Sequence, residues 1–208
     1  LLVHSVYLYA EELYPQLADM AEALDCPVQV HVAETAKEVQ ECLARYGRRP
    51  AAQLAHFGFF KTPTIAAHCV HLDAAEREIL ASHGVCAAHC PASNLKLGSG
   101  IADVAAMQRD GVTVTLGTDG PASNNNLDLY RDLRLASFLA KGTAGDAAIL
   151  PAEAMLRMAT ADGMAGLGFG DSGRIAAGWE ADLQVVRTNG PGMTPLGDPV
   201  SALVYSAA

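Results

Sequence analysis

Three side chains that can bind a metal ion are associated with short apolar runs of the sequence. His31 lies in VQVHV, His68 ends TIAAH, and Asp119 follows VTVTLGT. Behind each run come a polar loop and then a helix-like stretch. In a barrel or a doubly wound sheet, side chains at the carboxyl ends of neighbouring parallel strands converge on one mouth. The pattern therefore predicts one shared site, and its imidazole and carboxylate groups indicate a hydrolytic metal enzyme.

Each of these residues also has an ordinary structural explanation when it is considered alone. A single histidine in a strand is often a core or surface residue, which applies to both His31 and His68. Asp119 can cap a turn before Pro121, although a carboxylate buried there without a partner would be costly. Three such coincidences at successive strand ends favour the shared site.

The elements that must position these residues alternate between strand-like and helix-like stretches. This alternation is typical of βα units around a parallel sheet. Hydrophobic periodicity and glycine breaks predict five strands with four crossovers between them. The predicted strands are 1–4, 28–32, 65–69, 85–89 and 112–118, and the predicted helices are 10–24, 37–46, 74–83, 101–109, 127–141 and 151–161. A loop region is expected from about residue 48 to residue 63.

The composition favours a folded protein that acts on a small molecule. Half of the 208 residues are apolar, and the net charge of -9 opposes binding to nucleic-acid phosphate or to an anionic membrane. Apolar runs stay well short of about 18 residues and no signal-peptide pattern opens the chain, so we expect a cytoplasmic protein. The five cysteines include no CxxC pair and are expected to be reduced and structural.

Five strings of the sequence together resemble one family of hydrolases. They are VHSVYLYAEEL, HVAET, TIAAHCVHL, HCPASNLKLGSG and LGTDGPASNNNLDL. In order and spacing they are similar to the amidohydrolase superfamily. Within it they look most like the branch that contains 5'-methylthioadenosine/S-adenosylhomocysteine deaminases, aromatic deaminases and chlorohydrolases. The similarity covers almost the whole chain.

The resemblance implies an α/β fold that forms the carboxyl-terminal portion of a TIM-type (β/α)8 barrel. Residues 1–172 would supply barrel strands 4 to 8 with their helices, as about five βα units. The string GRIAAGWEADLQVV resembles the segment in which the family returns to a small β-sandwich. Residues 173–208 would therefore be an incomplete part of that second domain. Within them, RIAAG and DLQVV are β-like runs for which we expect antiparallel structure.

The resemblance also implies roles for individual residues. His31 and Asp119 would hold one divalent metal, most readily Zn²⁺, and Asp119 would also contact the substrate and take a proton from the attacking water. Glu34 would bind the purine and protonate its ring nitrogen, His68 would stabilise the tetrahedral adduct, and His4 would touch the substrate. The family's HxH pair does not occur in these residues. Two further histidine ligands are therefore expected upstream of residue 1.

The reaction implied by the resemblance is hydrolysis of a cyclic amidine. The adenine ring of 5'-methylthioadenosine or S-adenosylhomocysteine would become hypoxanthine, with release of ammonia. Two alternatives stay open, namely a sibling enzyme acting on guanine, cytosine or a chlorinated triazine, and an inactive truncated copy. Because the chain has no initiator methionine and ends in an apolar segment, we expect a fragment that is inactive alone. The resemblance also leaves a homo-oligomer open.

Overall fold

Four parallel strands form the sheet of this protein, in the same order in space as along the chain. The computed structural model describes residues 1–207, and its strands are β1 (Val28–Val32), β2 (Thr64–His68), β3 (Cys86–His89) and β4 (Thr113–Leu116). Each strand pairs in parallel with the next. The predicted α/β class and the parallel sheet are confirmed.

Helices precede, connect and follow these strands. They are α1 (Leu13–Ala23), α2 (Ala36–Tyr46), α3 (Pro50–Phe57), α4 (Ala74–Ser82), α5 (Pro91–Lys96), α6 (Val104–Arg109), α7 (Pro121–Asn124), α8 (Leu129–Ala144), α9 (Ala152–Ala159), α10 (Ala161–Gly166) and α11 (Pro199–Tyr205). Short 3₁₀ turns occur at Phe59–Lys61 and Pro191–Met193. Within residues 1–207, none of the helices is long and apolar enough to cross a membrane.

The two faces of the sheet have different surroundings. On β1, Val28, Val30 and Val32 are fully buried in the core, whereas Gln29 is exposed and His31 is half-buried. Successive strand residues point to opposite faces, so His31 lies on the face away from this core. The sequence pattern thus places the candidate ligand on the open side of the sheet.

The first predicted strand is reduced to a bridge. Leu2 makes a single parallel bridge with Gln29, and the Val3 N–H donates to the Gln29 carbonyl at 2.9 Å. The segment therefore lies beside β1 without becoming a full strand. The side chain of Leu2 is 66% exposed, because no further strand of the described chain packs outside it.

The expected loop between residues 48 and 63 contains helix α3. Pro50 begins this helix, where its missing N–H is no loss, and Gly58 ends it with a left-handed φ of 93°. Leu54 and Phe57 are buried in the core. Helices α5 and α11 also begin with proline and were missed in the same way. A proline at the first helical position indicates the start of such a helix, and hydrophobic periodicity alone does not reveal it.

The β-like runs RIAAG and DLQVV form no strand in the described chain, so the prediction of antiparallel structure there is wrong. The side chains of Ile175 and Val185 are 91% and 98% exposed. A strand needs a partner for its backbone N–H and C=O groups, and these runs have none within residues 1–207. The division into a barrel part and a β-sandwich part stays a prediction.

Four of the five cysteines lie inside the fold. Cys42, Cys69, Cys86 and Cys90 are buried, and Cys26 is half-buried. Burial raises the pKa of the Cys42 and Cys90 thiols to about 12 and that of Cys86 to about 11, and it holds the pKa of Cys69 well above its usual range. All five are free thiols, and the four buried ones are poor nucleophiles because the thiolate is the reactive form.

Alkylation should therefore distinguish Cys26 from the other cysteines. Brief treatment of the native protein with iodoacetamide at about pH 8 is expected to label Cys26 and to spare Cys42, Cys69, Cys86 and Cys90. Mass spectrometry of tryptic peptides measures this, and all five should react once denaturant is added. Labelling of a buried cysteine as fast as Cys26 would contradict the packing described above.

Candidate active site

Three of the predicted site residues form one cluster of rings at the carboxyl ends of the strands. The His31 and His68 rings stack with their centroids 5.3 Å apart and their planes 20° apart. The His4 ring lies 4.8 Å from the His31 ring. The parallel register pairs His31 with Ala67 and Val32 with His68, which brings the ends of the two strands together, and the left-handed φ of 71° at His68 takes this residue out of the strand alternation.

The chain leaves the strands through backbone conformations that are unusual for residues with side chains. The φ angle is 71° at His68, 60° at Asp119 and 49° at Ala33. Such conformations cost about 1–3 kcal/mol each and persist only where the surroundings hold them. One of the contacts that stabilise these conformations is a hydrogen bond from the N–H of His71 to the Ala33 carbonyl at 2.9 Å. The turns at the ends of β1 and β2 thus fix each other.

His31 is oriented by a carbonyl group. Its Nδ1 lies 2.5 Å from the backbone oxygen of His4. A carbonyl only accepts, so Nδ1 carries the proton and Nε2 of the neutral ring keeps its lone pair. Metal-binding histidines are commonly oriented in this way by a hydrogen bond from the second ring nitrogen. His31 can therefore offer Nε2 as a ligand.

Glu34 follows β1 and reaches the same cluster. Its Oε1 accepts a hydrogen bond from the Ser99 hydroxyl at 3.1 Å, and its Oε2 lies 3.9 Å from Nε2 of His68. The Glu34 side chain is 21% exposed. A carboxylate that is held in place and still reaches solvent can accept and deliver protons.

His68 is held by a buried amide. Its Nδ1 donates to Oδ1 of Asn94 at 2.8 Å, and both residues are at most 2% exposed. Because the amide oxygen accepts the Nδ1 proton, Nε2 is the nitrogen left on the side of Glu34. His68 is therefore presented to the site in a fixed orientation.

Asp119 is held by two donors after β4. The Ser93 hydroxyl donates to its Oδ2 and the Gly120 N–H donates to its Oδ1, both at 2.7 Å. Partial burial pushes the pKa of Asp119 up, but these hydrogen bonds and the nearby His68 outweigh it, so the pKa lies below its usual range. Asp119 is an ionised carboxylate at neutral pH, as a metal ligand must be.

Sequence reasoning missed the polar residues that hold the predicted ones. The sequence motifs give no indication that Ser93, Asn94 and Ser99 hold the site residues. The available signal was the string PASN, which follows β3 at Pro91 and occurs again at Pro121, and which begins a helix both times. In the first of these helices, α5, Ser93 and Asn94 are buried and contact Asp119 and His68.

Two other histidines near the strand ends do not join the ring cluster. His71 points its Nε2 to the carbonyl oxygen of Ser99 at 2.7 Å and so supports the loop that contacts Glu34. His89 ends β3 and is buried, and burial together with His68 lowers its pKa to about 4. It is therefore neutral at physiological pH.

The donor set matches part of a zinc shell. Nε2 of His31 and the Asp119 carboxylate are nitrogen and oxygen ligands of the kind that zinc prefers. Within residues 1–207, no group of three or more His, Cys, Asp and Glu side chains is arranged to hold a metal ion. A catalytic zinc needs at least three protein ligands besides an open position for water. These two residues fit zinc only if other residues complete the shell.

Known proteins are similar to this chain in both sequence and structure. The amidohydrolase family model matches residues 2–207. A 5-methylthioadenosine/S-adenosylhomocysteine deaminase of Acetivibrio thermocellus is 44% identical over 206 residues, which cover 99% of this chain and 48% of that protein. The chain thus spans about half the length of the curated relatives it matches.

Solved structures give the same result. The zinc-bound crystal structure of an adenosine deaminase from Xanthomonas campestris aligns with a TM-score of 0.95 and 42% identity, over 100% of this chain and 47% of its own. An atrazine chlorohydrolase from Arthrobacter aurescens, complexed with zinc, aligns with a TM-score of 0.91 and 30% identity, over 98% of this chain and 45% of its own. The expected portion of a hydrolase barrel is confirmed.

Replacement of Asn94 tests whether it holds His68. Asn94→Leu keeps the branched shape of the side chain but leaves the buried Nδ1–H of His68 without a partner, so the free energy of unfolding should fall by at least about 1–3 kcal/mol. Denaturant unfolding of the full-length protein measures this. The exposed Asn189→Leu is the control and should change stability by less than about 0.5 kcal/mol. Equal effects of the two substitutions would contradict the assigned contact.

Proposed function

This chain belongs to the amidohydrolase family, and we propose that it forms the carboxyl-terminal part of the barrel of a zinc-dependent deaminase. The substrate is the adenine ring of 5'-methylthioadenosine, S-adenosylhomocysteine or both. Water replaces the 6-amino group, which leaves as ammonia, and the ring becomes hypoxanthine. The observation that carries this proposal is the placement of the Glu34 carboxylate beside Nε2 of His68, 3.9 Å away.

Deamination needs a group that moves protons at the ring, and Glu34 is suited to this task. Its carboxylate is fixed by Ser99 and remains partly exposed. We assign to Glu34 the transfer of a proton to the ring nitrogen beside the attacked carbon. His68 stabilises the tetrahedral adduct through Nε2 when that atom carries a proton. His4, whose ring adjoins His31, contacts the substrate.

The proposed zinc ligands of this chain are His31, through Nε2, and Asp119. Two further histidines from outside residues 1–208 complete the shell. Zinc, when bound, supplies the Lewis acidity that makes water a nucleophile near neutral pH. Asp119 then accepts a proton from the attacking water and contacts the substrate. Its hydrogen bonds from Ser93 and Gly120 keep the carboxylate ionised for both tasks.

The degree of similarity favours an adenosine-type substrate over a triazine. The chain is 42% identical to the adenosine deaminase of known structure and 30% identical to the chlorohydrolase. Both of those proteins bind zinc, so the metal does not separate the two reactions. The closer relation to deaminases supports deamination.

The exposed apolar residues of the last segment support a second, incomplete domain. Ile175, Leu183 and Val185 are between 64% and 98% exposed. Strand-like runs with such residues fit a small β-sandwich whose other strands are supplied by the rest of a longer protein. We propose that residues 173–208 belong to that domain and residues 1–172 to the barrel.

Substitution of Glu34 separates proton transfer from metal binding. In the full-length protein, Glu34→Gln retains size and polarity but removes the titrating group, so turnover should fall by at least about 10²-fold while metal content is unchanged. Asp119→Asn should lower both. The measurements are ammonia release from 5'-methylthioadenosine and from S-adenosylhomocysteine, with elemental analysis of zinc.

The exposed Glu153→Gln serves as the control and should retain both activity and zinc. Deamination by Glu34→Gln at the rate of the unaltered protein would refute the proton relay at Glu34. Release of no ammonia from either nucleoside by the unaltered protein would refute the assignment of deamination. A metal-free and fully active full-length protein would refute the role of zinc.

The isolated chain of 208 residues should bind zinc weakly and release no measurable ammonia. It supplies two of the proposed ligands, and beyond the bridge from Leu2 to Gln29 its four-stranded sheet is extended by no further strand within residues 1–207. Zinc titration by calorimetry and an ammonia assay on the isolated chain measure this. Deamination by the isolated chain would show that no residues from outside it are needed.

A further inference from the structure

Glu38 is a buried carboxylate whose hydrogen bonds go to the loop that carries Glu34. It lies in the first turn of α2 and is 5% exposed. Its Oε1 accepts from the N–H of Ala33 at 2.9 Å, and its Oε2 accepts from the N–H of Glu34 at 2.7 Å. In the described part of the chain no cation forms a salt bridge with it. Its two oxygens therefore accept hydrogen bonds from the N–H groups of two successive residues.

This arrangement differs from ordinary capping of a helix. In a capping box, the glutamate at the third helical position bonds the N–H of the capping residue itself. Helix α4 shows this, since Glu76 Oε2 accepts from the Asp73 N–H at 3.3 Å. In α2 the cap is Thr35, yet Glu38 reaches past it to the two preceding residues. The glutamate thus binds the site loop and not only its own helix.

Glu38 holds the backbone at Ala33 in a conformation that is unfavourable by itself. Ala33 has a left-handed φ of 49°, which is unfavourable for a residue with a side chain. The next residue is Glu34, whose carboxylate must reach both Ser99 and His68. A change of the Ala33 backbone would rotate the Glu34 side chain away from these partners. The two hydrogen bonds to Glu38 oppose that change.

We propose that Glu38 is a positioning residue for deamination, which acts by fixing the backbone of Ala33 and Glu34 so that the Glu34 carboxylate faces the substrate ring. The proposal rests on the proposed function, in which Glu34 transfers the proton. Glu38 touches neither substrate nor metal. Its entire contribution to the reaction passes through Glu34.

The first test is the kinetic effect of changing Glu38 in the full-length protein. Glu38→Gln has a similar size but directs an NH₂ group at one of the two backbone donors, so kcat for 5'-methylthioadenosine should fall about 10- to 100-fold, the scale of a misplaced catalytic group. Zinc content should stay within about two-fold, because neither Glu38 nor Glu34 is a proposed metal ligand, and the loss should fall mainly on kcat rather than on KM. Should this variant fold poorly, Glu38→Asp keeps the charge but is too short to bond both N–H groups, and the same fall is expected.

A control substitution at another helix distinguishes the loss of a helix cap from the loss of positioning of Glu34. Asp103 caps α6 by accepting from the Ala106 N–H at 2.9 Å and does not contact the site loop. Asp103→Ala should lower the thermal unfolding midpoint about as much as Glu38→Gln does, and should leave kcat unchanged. An equal loss of kcat in both variants would overturn the proposal, because kcat would then follow stability alone.

The decisive test is the combination with Glu34→Gln. If Glu38 acts only through Glu34, adding Glu38→Gln to Glu34→Gln should change kcat by less than about two-fold. Multiplication of the two losses would overturn the positioning role and leave the proposed function intact. Full activity of Glu34→Gln alone would refute the proton transfer assigned to Glu34, on which the positioning role rests, and absence of deamination by the unaltered protein would refute the proposed function, so the failures are distinguishable.

Discussion

The parallel hydrogen bonding between the four strands is the constraint on which the site depends. It sets Val32 beside His68 and His89 beside Leu116, so that every strand ends at the same edge of the sheet. The loops that leave this edge carry Glu34 and Asp119. A slip of one residue in the register of β1 would turn His31 to the opposite face and remove it from the ring cluster. The strands must therefore pair in this register before the side chains of the site can meet.

The register brings the residues to one edge, but hydrogen bonds from other elements orient them. Asn94 holds His68, Ser93 holds Asp119 and Ser99 holds Glu34. These three partners all come from α5 and the loop that follows it. This one segment, placed between β3 and β4, therefore links the strand ends to each other. Such fixed hydrogen bonds keep the reacting groups in one arrangement while the backbone at His68 and Asp119 stays in an unfavourable conformation.

The period of apolar residues was enough to predict four of the five expected strands, the parallel sheet and the edge at which His31, His68 and Asp119 lie. It was not enough to predict what holds them, since Ser99 and Glu34 are 65 residues apart in the sequence and nothing local indicates that they meet. Glu38 was missed because its position reads as ordinary capping. The β-like runs after residue 173 failed as strands for a different reason, because their β propensity is realised only when a partner strand is present.

The account is tested most directly by the position of zinc in a crystal of the full-length protein. Anomalous scattering at the zinc edge should give one strong peak about 2.0–2.2 Å from Nε2 of His31 and from a carboxylate oxygen of Asp119. Nδ1 of His31 should remain on the His4 carbonyl, which leaves Nε2 as the ligand atom. A zinc peak that is bound elsewhere, or bound without His31, would contradict the assignment of this edge of the sheet as the metal centre.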